Sequence, residues 1–232
     1  MNNRFNFKFL WITFVILAIL ILSSIGMYTM FTVLPNTLAI VVIDAGHGGR
    51  DVGVVGVNSN VSEAEINLLI TQTLKSKLEA NNIKVVLTRK NADGLYDKNA
   101  TNFKRSDMEK RKNIIAETAP NLVVSIHCNR YPSGERRGAQ AFFNNFSDDG
   151  KRLASLIQTN LNILNEEHLN RGFSPLKGDY YILNCSNYPS CIIECGFLSN
   201  AEDDLLLNDE NYRDKLADAI LSGIMSYLNE SA

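Results

Sequence analysis

The sequence predicts an α/β protein: a three-layer domain with a mostly parallel, twisted sheet of about six strands and helices on both faces, preceded by one N-terminal transmembrane helix. Three observations lead to this prediction. Residues 39–43 are apolar without alternation, which is typical of a strand covered on both faces. Further apolar runs then alternate with amphipathic helical patterns. Between Lys8 and Asp44 there is no charged side chain.

The N-terminal segment, residues 9–27, is apolar and long enough to span a bilayer, since about 20 residues cross a hydrocarbon core of about 30 Å. Arg4 and Lys8 precede it, which predicts a cytoplasmic N-terminus and a membrane-anchored, extracytoplasmic remainder. A cleaved secretory signal is the alternative, because residues 23–26 include small side chains. We favour the anchor because the apolar segment is longer than a usual signal-peptide core.

Two domains follow from this division. Residues 1–37 would hold a cytoplasmic stub, the anchor and a linker, and residues 38–232 would form one catalytic domain. The net charge is −2, so no basic patch indicates a nucleic-acid partner. Four cysteines lie in the second part without a C-x-x-C motif, and we expect mostly reduced core residues. They are Cys128, Cys185, Cys191 and Cys195.

A histidine set among glycines follows the first strand. In parallel sheets ligands collect beyond the carboxyl ends of strands, which makes His47 a candidate metal ligand. A dinucleotide-binding motif is excluded, because the third glycine of G-x-G-x-x-G would fall at Asp51. Taken alone, such a histidine is more often a hydrogen-bonded turn residue.

The next segment is predicted to be an amphipathic helix that ends near Asn81. Two acids stand at its start and can be told apart. Ser62 and Glu65 form a capping-box pattern, in which Glu65 reaches back to the Ser62 backbone N–H. Glu63 has no such role beyond the general preference of acids for helix N-termini. It is therefore free to face a site.

A second strand at residues 83–88 and a third at residues 121–126 flank a helix that Ser106 or Asp107 would cap. His127 follows the third strand directly, as His47 follows the first. Two of the three histidines of the chain are thus expected at the same edge of one sheet.

An acid interrupts the last apolar strand, which begins at Cys191. A buried, unpaired carboxylate is costly, so Glu194 should be paired, near a metal, or catalytic. The other elements predicted for this half are strands at residues 138–144 and 180–183, a helix at residues 149–164, a helix capped by Asn200, and a final helix at residues 212–228.

Two imidazoles and a carboxylate, from His47, Glu63 and His127, suit a catalytic Zn²⁺ whose fourth position is left to water. Zinc lowers the pKa of water toward about 7 and polarises a carbonyl, and a nearby carboxylate must then move the proton. Glu194 fits that role. The H-E-x-x-H pattern is absent, so the site would be dispersed along the chain.

The residues that carry this chemistry lie in four ordered motifs. They are IDAGHGGRD at residues 43–51, the helix-initial Glu63, SIHCN at residues 125–129 and ECGFLSN at residues 194–200. Together they resemble the zinc-dependent N-acetylmuramoyl-L-alanine amidases of the amidase 3 type, over about residues 38–230. The resemblance implies cleavage of the amide between the lactyl group of muramic acid and L-alanine in peptidoglycan.

By the same resemblance His47, Glu63 and His127 bind Zn²⁺ and Glu194 is the catalytic carboxylate. A short, anchored member without wall-binding repeats is most similar to the spore-cortex amidases, which start the formation of muramic lactam. With only three protein ligands for zinc, an accessory protein could stabilise the loaded form.

Several alternatives stay open at this point. Arg111 stands where the family usually has an arginine, with a substrate-binding or structural role, although helix arginines are often only solvated. A non-catalytic, zinc-braced wall-binding protein would have little reason to bury Glu194. Another zinc peptidase or deacetylase of the wall would share the same metal chemistry.

Overall fold

The computed structural model describes residues 11–21 and 39–230, and the chain divides into two units at residues 36 and 37. In the first unit, residues 11–21 form helix α1, whose apolar side chains are mostly exposed. The remainder of the transmembrane segment predicted at residues 9–27 lies outside the described residues. Within the described ranges, no helix has both the length and the apolar character that crossing a membrane requires.

The second unit contains one six-stranded sheet in the order β2-β1-β3-β6-β4-β5. The pairs β2–β1, β1–β3 and β3–β6 are parallel. Strand β4 is antiparallel to β6, and β5 is parallel to β4. The predicted α/β fold with a mostly parallel six-stranded sheet is confirmed. The strands are β1 (Ala39–Ala45), β2 (Ile83–Leu87), β3 (Leu122–Asn129), β4 (Gln140–Phe143), β5 (Leu176–Lys177) and β6 (Ser190–Phe197).

Helices cover both faces of this sheet, because alternate strand residues point to opposite sides. The larger core joins Val41 and Ile43 to helices α2, α4 and α7, and the smaller core joins Val42 to α3 and α5. The helices of this unit are α2 (Glu63–Ala80), α3 (Phe103–Thr118), α4 (Asp148–Leu169), α5 (Tyr181–Asn184), α6 (Ala201–Asn208) and α7 (Glu210–Glu230).

The prediction of a strand at residues 180–183 is wrong. Tyr181–Asn184 forms the short helix α5, and β5 is the edge strand next to β4. A run of four apolar residues carries too little periodicity to separate strand from helix. Its two buried side chains, Ile182 and Leu183, pack against the sheet from one helical turn.

The predicted caps differ in outcome. Ser62 caps α2, with its Oγ accepting from the Glu65 N–H at 3.3 Å, but within the described chain the Glu65 carboxylate makes no return bond. For α3 the prediction is wrong, because Asn102 is the N-cap. Ser106 and Asp107 instead accept bonds from the preceding loop.

The four cysteines are free thiols in the structure. Cys128, Cys191 and Cys195 are buried and Cys185 is partly buried. Burial raises the pKa of the Cys195 thiol, as it does for Cys191. These side chains therefore pack as small apolar groups.

Candidate active site

The loop after β1 brings His47 against β3. The Gly46 N–H donates to the Ile126 carbonyl at 3.0 Å, which fixes the loop to the neighbouring strand. A Cβ atom on Gly46 would lie 2.3 Å from the His127 ring, so only glycine lets the two segments approach this closely. His47 itself has a φ of +63°, a left-handed conformation that turns its side chain back toward the sheet edge.

Glu63, the first residue of α2, is 2% exposed and its carboxylate is held from two directions. Oε2 accepts from the Val54 N–H at 3.0 Å and Oε1 accepts from the Cys128 N–H at 3.1 Å. The same Oε1 lies 3.1 Å from His47 Nε2 and 3.0 Å from His127 Nδ1. Burial raises the pKa of Glu63, but the two imidazoles outweigh it and hold that pKa well below its usual range.

The candidate ligand atoms of His47, Glu63 and His127 all lie within 4.8 Å of one another. The two rings meet edge to face, with centroids 4.9 Å apart. Nδ1 of His47 lies 3.0 Å from Asp51 Oδ2. Burial lowers the pKa of His47, but the carboxylates of Glu63 and Asp51 raise it by more, so the pKa lies above its usual value. Converging imidazole and carboxylate donors of this kind could bind a metal ion.

Glu194 lies beside this cluster, because it is the register partner of His127 on the neighbouring strand β6. It is 9% exposed, and its Oε2 atom is buried without a hydrogen-bond partner among residues 11–21 and 39–230. Burial raises its pKa to about 7, an effect that His127 partly opposes. A carboxyl group with that pKa can accept and release a proton near neutral pH.

Arg111 is buried, with 2% of its side chain exposed, and contacts the active-site loop directly. It donates to the backbone carbonyls of Ala45 at 2.8 Å and His47 at 2.6 Å, and its guanidinium pairs with Asp44 and Asp107. A solvated helix arginine is therefore the wrong description. The contacts identify Arg111 as a residue that positions the loop carrying His47.

Two further buried polar residues lie next to this loop, Asp44 at the end of β1 and Arg89 after β2, and the sequence did not single them out as site residues. Arg89 donates to Ala45 O at 2.9 Å and to Gly46 O at 3.0 Å. Asp44 accepts from Ser125 Oγ at 2.6 Å, and although burial raises its pKa, Arg111 and the hydrogen bonds lower it to about 2. Asp44 interrupts an apolar strand just as Glu194 does, so the same sequence signal was present for it.

His47, His127 and Glu194 line a cavity of about 230 Å³. Aromatic side chains flank it on two sides: Tyr96 and Phe103 near the start of α3, and Tyr180 and Tyr181 at α5. Such walls offer apolar and stacking surface to a substrate.

The relatives of the chain identify its protein family. A family model described as N-acetylmuramoyl-L-alanine amidase, Amidase_3, matches residues 41–226. The chain belongs to this amidase family. The amidase is 32% identical over 200 residues to the germination-specific N-acetylmuramoyl-L-alanine amidase of Bacillus subtilis, covering 85% of this chain and 83% of that relative. It is also 33% identical to LytC of Bacillus subtilis over 187 residues, 80% of this chain and 34% of LytC.

Solved structures agree with this assignment. The amidase matches the CwlD amidase from Clostridioides difficile, solved in complex with the GerS lipoprotein, with a TM-score of 0.77 and 37% identity over 83% of this chain and 99% of that one. The chain is thus an enzyme that hydrolyses the amide between N-acetylmuramoyl and L-alanine in peptidoglycan, as predicted. This favours it over the peptidase, deacetylase and wall-binding alternatives.

Proposed function

We propose that this amidase is zinc-dependent, with His47, Glu63 and His127 as the zinc ligands and Glu194 as the catalytic carboxylate. The observation that carries the proposal is the convergence of three donor atoms within 4.8 Å, beside a buried carboxylate oxygen to which no described residue donates a hydrogen bond. Two imidazoles and one carboxylate leave room for water and substrate, as catalytic zinc sites do. An orphaned buried oxygen is costly in the fold and is expected where chemistry needs it.

His47, Glu63 and His127 would hold Zn²⁺, which would act there as a Lewis acid toward water and the scissile carbonyl. Glu194 takes the proton from the attacking water and delivers it to the amine nitrogen of L-alanine as the amide bond breaks. The bonds to Val54 and Cys128 hold the Glu63 carboxylate still while this occurs. Arg111 has a positioning role, because its guanidinium holds the carbonyl of His47.

Mass spectrometry of the products tests this proposal. Peptidoglycan is incubated with the zinc-loaded full-length chain, and the soluble peptides are identified. We expect free peptides that begin with L-alanine from the natural sequence and none from Glu194→Gln, whose zinc content should equal that of the natural chain. Release of the same peptides by Glu194→Gln would remove the assigned role.

For the organisation of the chain, we propose that residues 38–232 form the catalytic domain and that residues 9–27 anchor it to the membrane, with the enzyme on the outer side. The charge-free apolar segment behind Arg4 and Lys8 supports this. Alkaline extraction of membranes from cells that express the chain is the test. An anchored protein stays in the membrane pellet, whereas a protein cleaved after this segment appears in the soluble fraction with a lower molecular mass.

We further propose that the substrate is the spore cortex, with muramic lactam as the later product, and that an accessory protein stabilises the zinc-loaded form. The similarity to the germination-specific amidase supports the first proposal, and the solved complex of CwlD with a lipoprotein supports the second. Parallel digestion of cortex and vegetative peptidoglycan tests the substrate. A zinc titration of the chain with and without a co-expressed lipoprotein partner tests the accessory-protein proposal. Equal zinc affinity in the two titrations would contradict that proposal.

A further inference from the structure

A second cavity, of about 540 Å³, lies beside β4. Gln140 lines this cavity and is the cross-strand partner of Glu194 in the antiparallel pair β4–β6. Such partners have Cα atoms about 5 Å apart and side chains on the same face of the sheet. Phe197, three residues beyond Glu194 on β6, also lines it. A chain held at Glu194 therefore reaches this cavity within about two residues.

Three arginines line this cavity, which we call the arginine pocket: Arg136, Arg137 and Arg171 around Gln140, Phe173 and Phe197. Arg137 is not available to a further anion, because its guanidinium already pairs with two acids of α6, Glu202 and Asp203. Arg136 and Arg171 make no ion pair with any residue that the structure describes. They are also solvent-exposed.

The lining contains one acid, Glu135, which accepts from Ser133 Oγ at 3.2 Å and is exposed. Three arginines and three acids, Glu135, Glu202 and Asp203, leave this region without formal net charge. What the pocket offers an anion is therefore the two guanidinium groups of Arg136 and Arg171, which are not paired with any described carboxylate and can form charge-assisted hydrogen bonds at short range.

Both free guanidinium groups are held in place by aromatic rings. The Cζ atom of Arg136 lies 4.3 Å from the centre of the Tyr131 ring, and that of Arg171 lies 5.1 Å from the centre of the Phe173 ring. Phe173 is fixed in turn by two bonds between its backbone and the Asn162 side chain, at 2.9 and 2.8 Å. Stacked arginines lose less freedom on binding than solvated ones, so these two are preorganised for a ligand.

The substrate has free carboxylate groups on only one side of the amide bond that is cleaved. The lactyl carboxyl group of muramic acid is consumed in the scissile amide, so free carboxylates lie on the peptide side. Guanidinium groups bind carboxylates through paired, charge-assisted hydrogen bonds. The first cavity has aromatic walls, and its one lysine, Lys104, already lies 3.6 Å from Asp51. The acidic side of the substrate therefore matches the arginine pocket.

We propose that the arginine pocket binds the carboxylates of the stem peptide on the leaving-group side of the scissile amide, with Arg136 and Arg171 determining the preference for an acidic stem. The inference rests on the proposed catalytic role of Glu194, because that role places the amide beside Gln140. It orients the substrate across the site, with the peptide running over β4 and the sugar toward the aromatic walls.

The test compares two synthetic N-acetylmuramoyl peptides, one with free carboxylates and one with every carboxylate converted to an amide. The zinc-loaded full-length chain is assayed beside the double variant Arg136→Gln/Arg171→Gln. The matched control is Lys84→Gln/Lys151→Gln, which removes two exposed positive charges outside both cavities. Binding of the released acidic peptide is measured separately by calorimetry.

For the arginine double variant we expect kcat/KM on the acidic substrate to fall at least about tenfold, mainly through KM, since each lost guanidinium–carboxylate contact is worth about a factor of ten. The loss on the amidated substrate should stay below about twofold. The lysine control should change neither value by more than about twofold, because exposed charges at a distance are screened.

Equal losses on both substrates, or no loss on the acidic one, would overturn the pocket assignment. The calorimetry separates this from failure of the catalytic proposal. If no variant turns over substrate but the acidic peptide binds the natural chain and not the arginine variant, the pocket stands and the role of Glu194 does not. If the peptide binds both equally, the pocket is wrong whatever the turnover.

Discussion

His127 and Glu194 are register partners on the neighbouring parallel strands β3 and β6. This pairing places a candidate metal ligand next to a carboxyl group whose pKa burial raises to about 7. This arrangement is costly for the fold, because one oxygen of Glu194 is buried and has no hydrogen-bond partner in the described part of the chain. The catalytic role proposed for Glu194 and the stability of the fold are therefore opposed at this position.

The first prediction is that Glu194→Gln stabilises the metal-free protein at pH 8. The pKa of this carboxyl group rises from 4.5 to about 7 on folding, so between those values the native state holds a proton that the unfolded state has lost. The contribution of Glu194 to the free energy of unfolding therefore falls by on the order of 3 kcal/mol as the pH increases from about 4.5 to about 7. Urea unfolding of both proteins in EDTA at pH 5 and pH 8 measures it. A constant difference between them would contradict the assignment.

The second prediction separates the two acids at the start of α2. Glu63→Gln should lose stoichiometric zinc, because Glu63 Oε1 lies within 3.1 Å of both candidate imidazoles. Glu65→Gln is the matched control: Glu65 is exposed and contributes only its backbone N–H to the cap. It should keep zinc and change stability by less than about 0.5 kcal/mol. Metal analysis after dialysis checks both, and equal zinc contents would remove Glu63 as a ligand.

Much of the site could be predicted because it depends on local rules. The carboxyl ends of neighbouring parallel strands meet at one edge, so His47 and His127 were expected together. Ser62 caps α2 through the Glu65 N–H, and Glu63 is the acid that reaches the cluster. The return bond from the Glu65 carboxylate, on which the distinction between the two acids was based, is not formed among the described residues. The structure brings all three expected ligand residues into one cluster, while their role as zinc ligands stays a prediction.

What could not be predicted depends on contacts between segments distant in the chain. Arg111 lies 64 positions from His47, whose carbonyl it holds, and the helix pattern around it gave no sign of burial. The reversed direction of β4 and the helical form of residues 181–184 are also set by packing against β6 and the smaller core. Short segments of this kind take their conformation from tertiary contacts.

The third prediction concerns the buried pair of Asp44 and Arg111. Asp44 has its pKa lowered from 3.8 to about 2, so its contribution is present above pH 4 and is lost as pH falls toward 2. Arg111→Gln leaves this carboxylate buried without its cation, which should cost about 3 kcal/mol or more at pH 7. The cost should shrink below pH 4, where Asp44 in the variant becomes protonated. Unfolding at pH 7 and pH 3 measures the change, and an equal cost at both would argue against the pair.

The fourth prediction is that Gly46→Ala disables the site without unfolding the domain. A Cβ atom at this position would lie 2.3 Å from Cε1 and Nε2 of His127, and no real contact is that short, so the imidazole must move. Displacement of His127 by even about 1 Å separates it from Glu63 Oε1 and should lower activity about a hundredfold. The sheet should persist, because the Gly46 N–H remains free to donate to Ile126. Zinc binding, turnover and far-UV circular dichroism measured together check this. A variant that keeps natural zinc affinity and turnover would mean that His127 is not held where the structure places it.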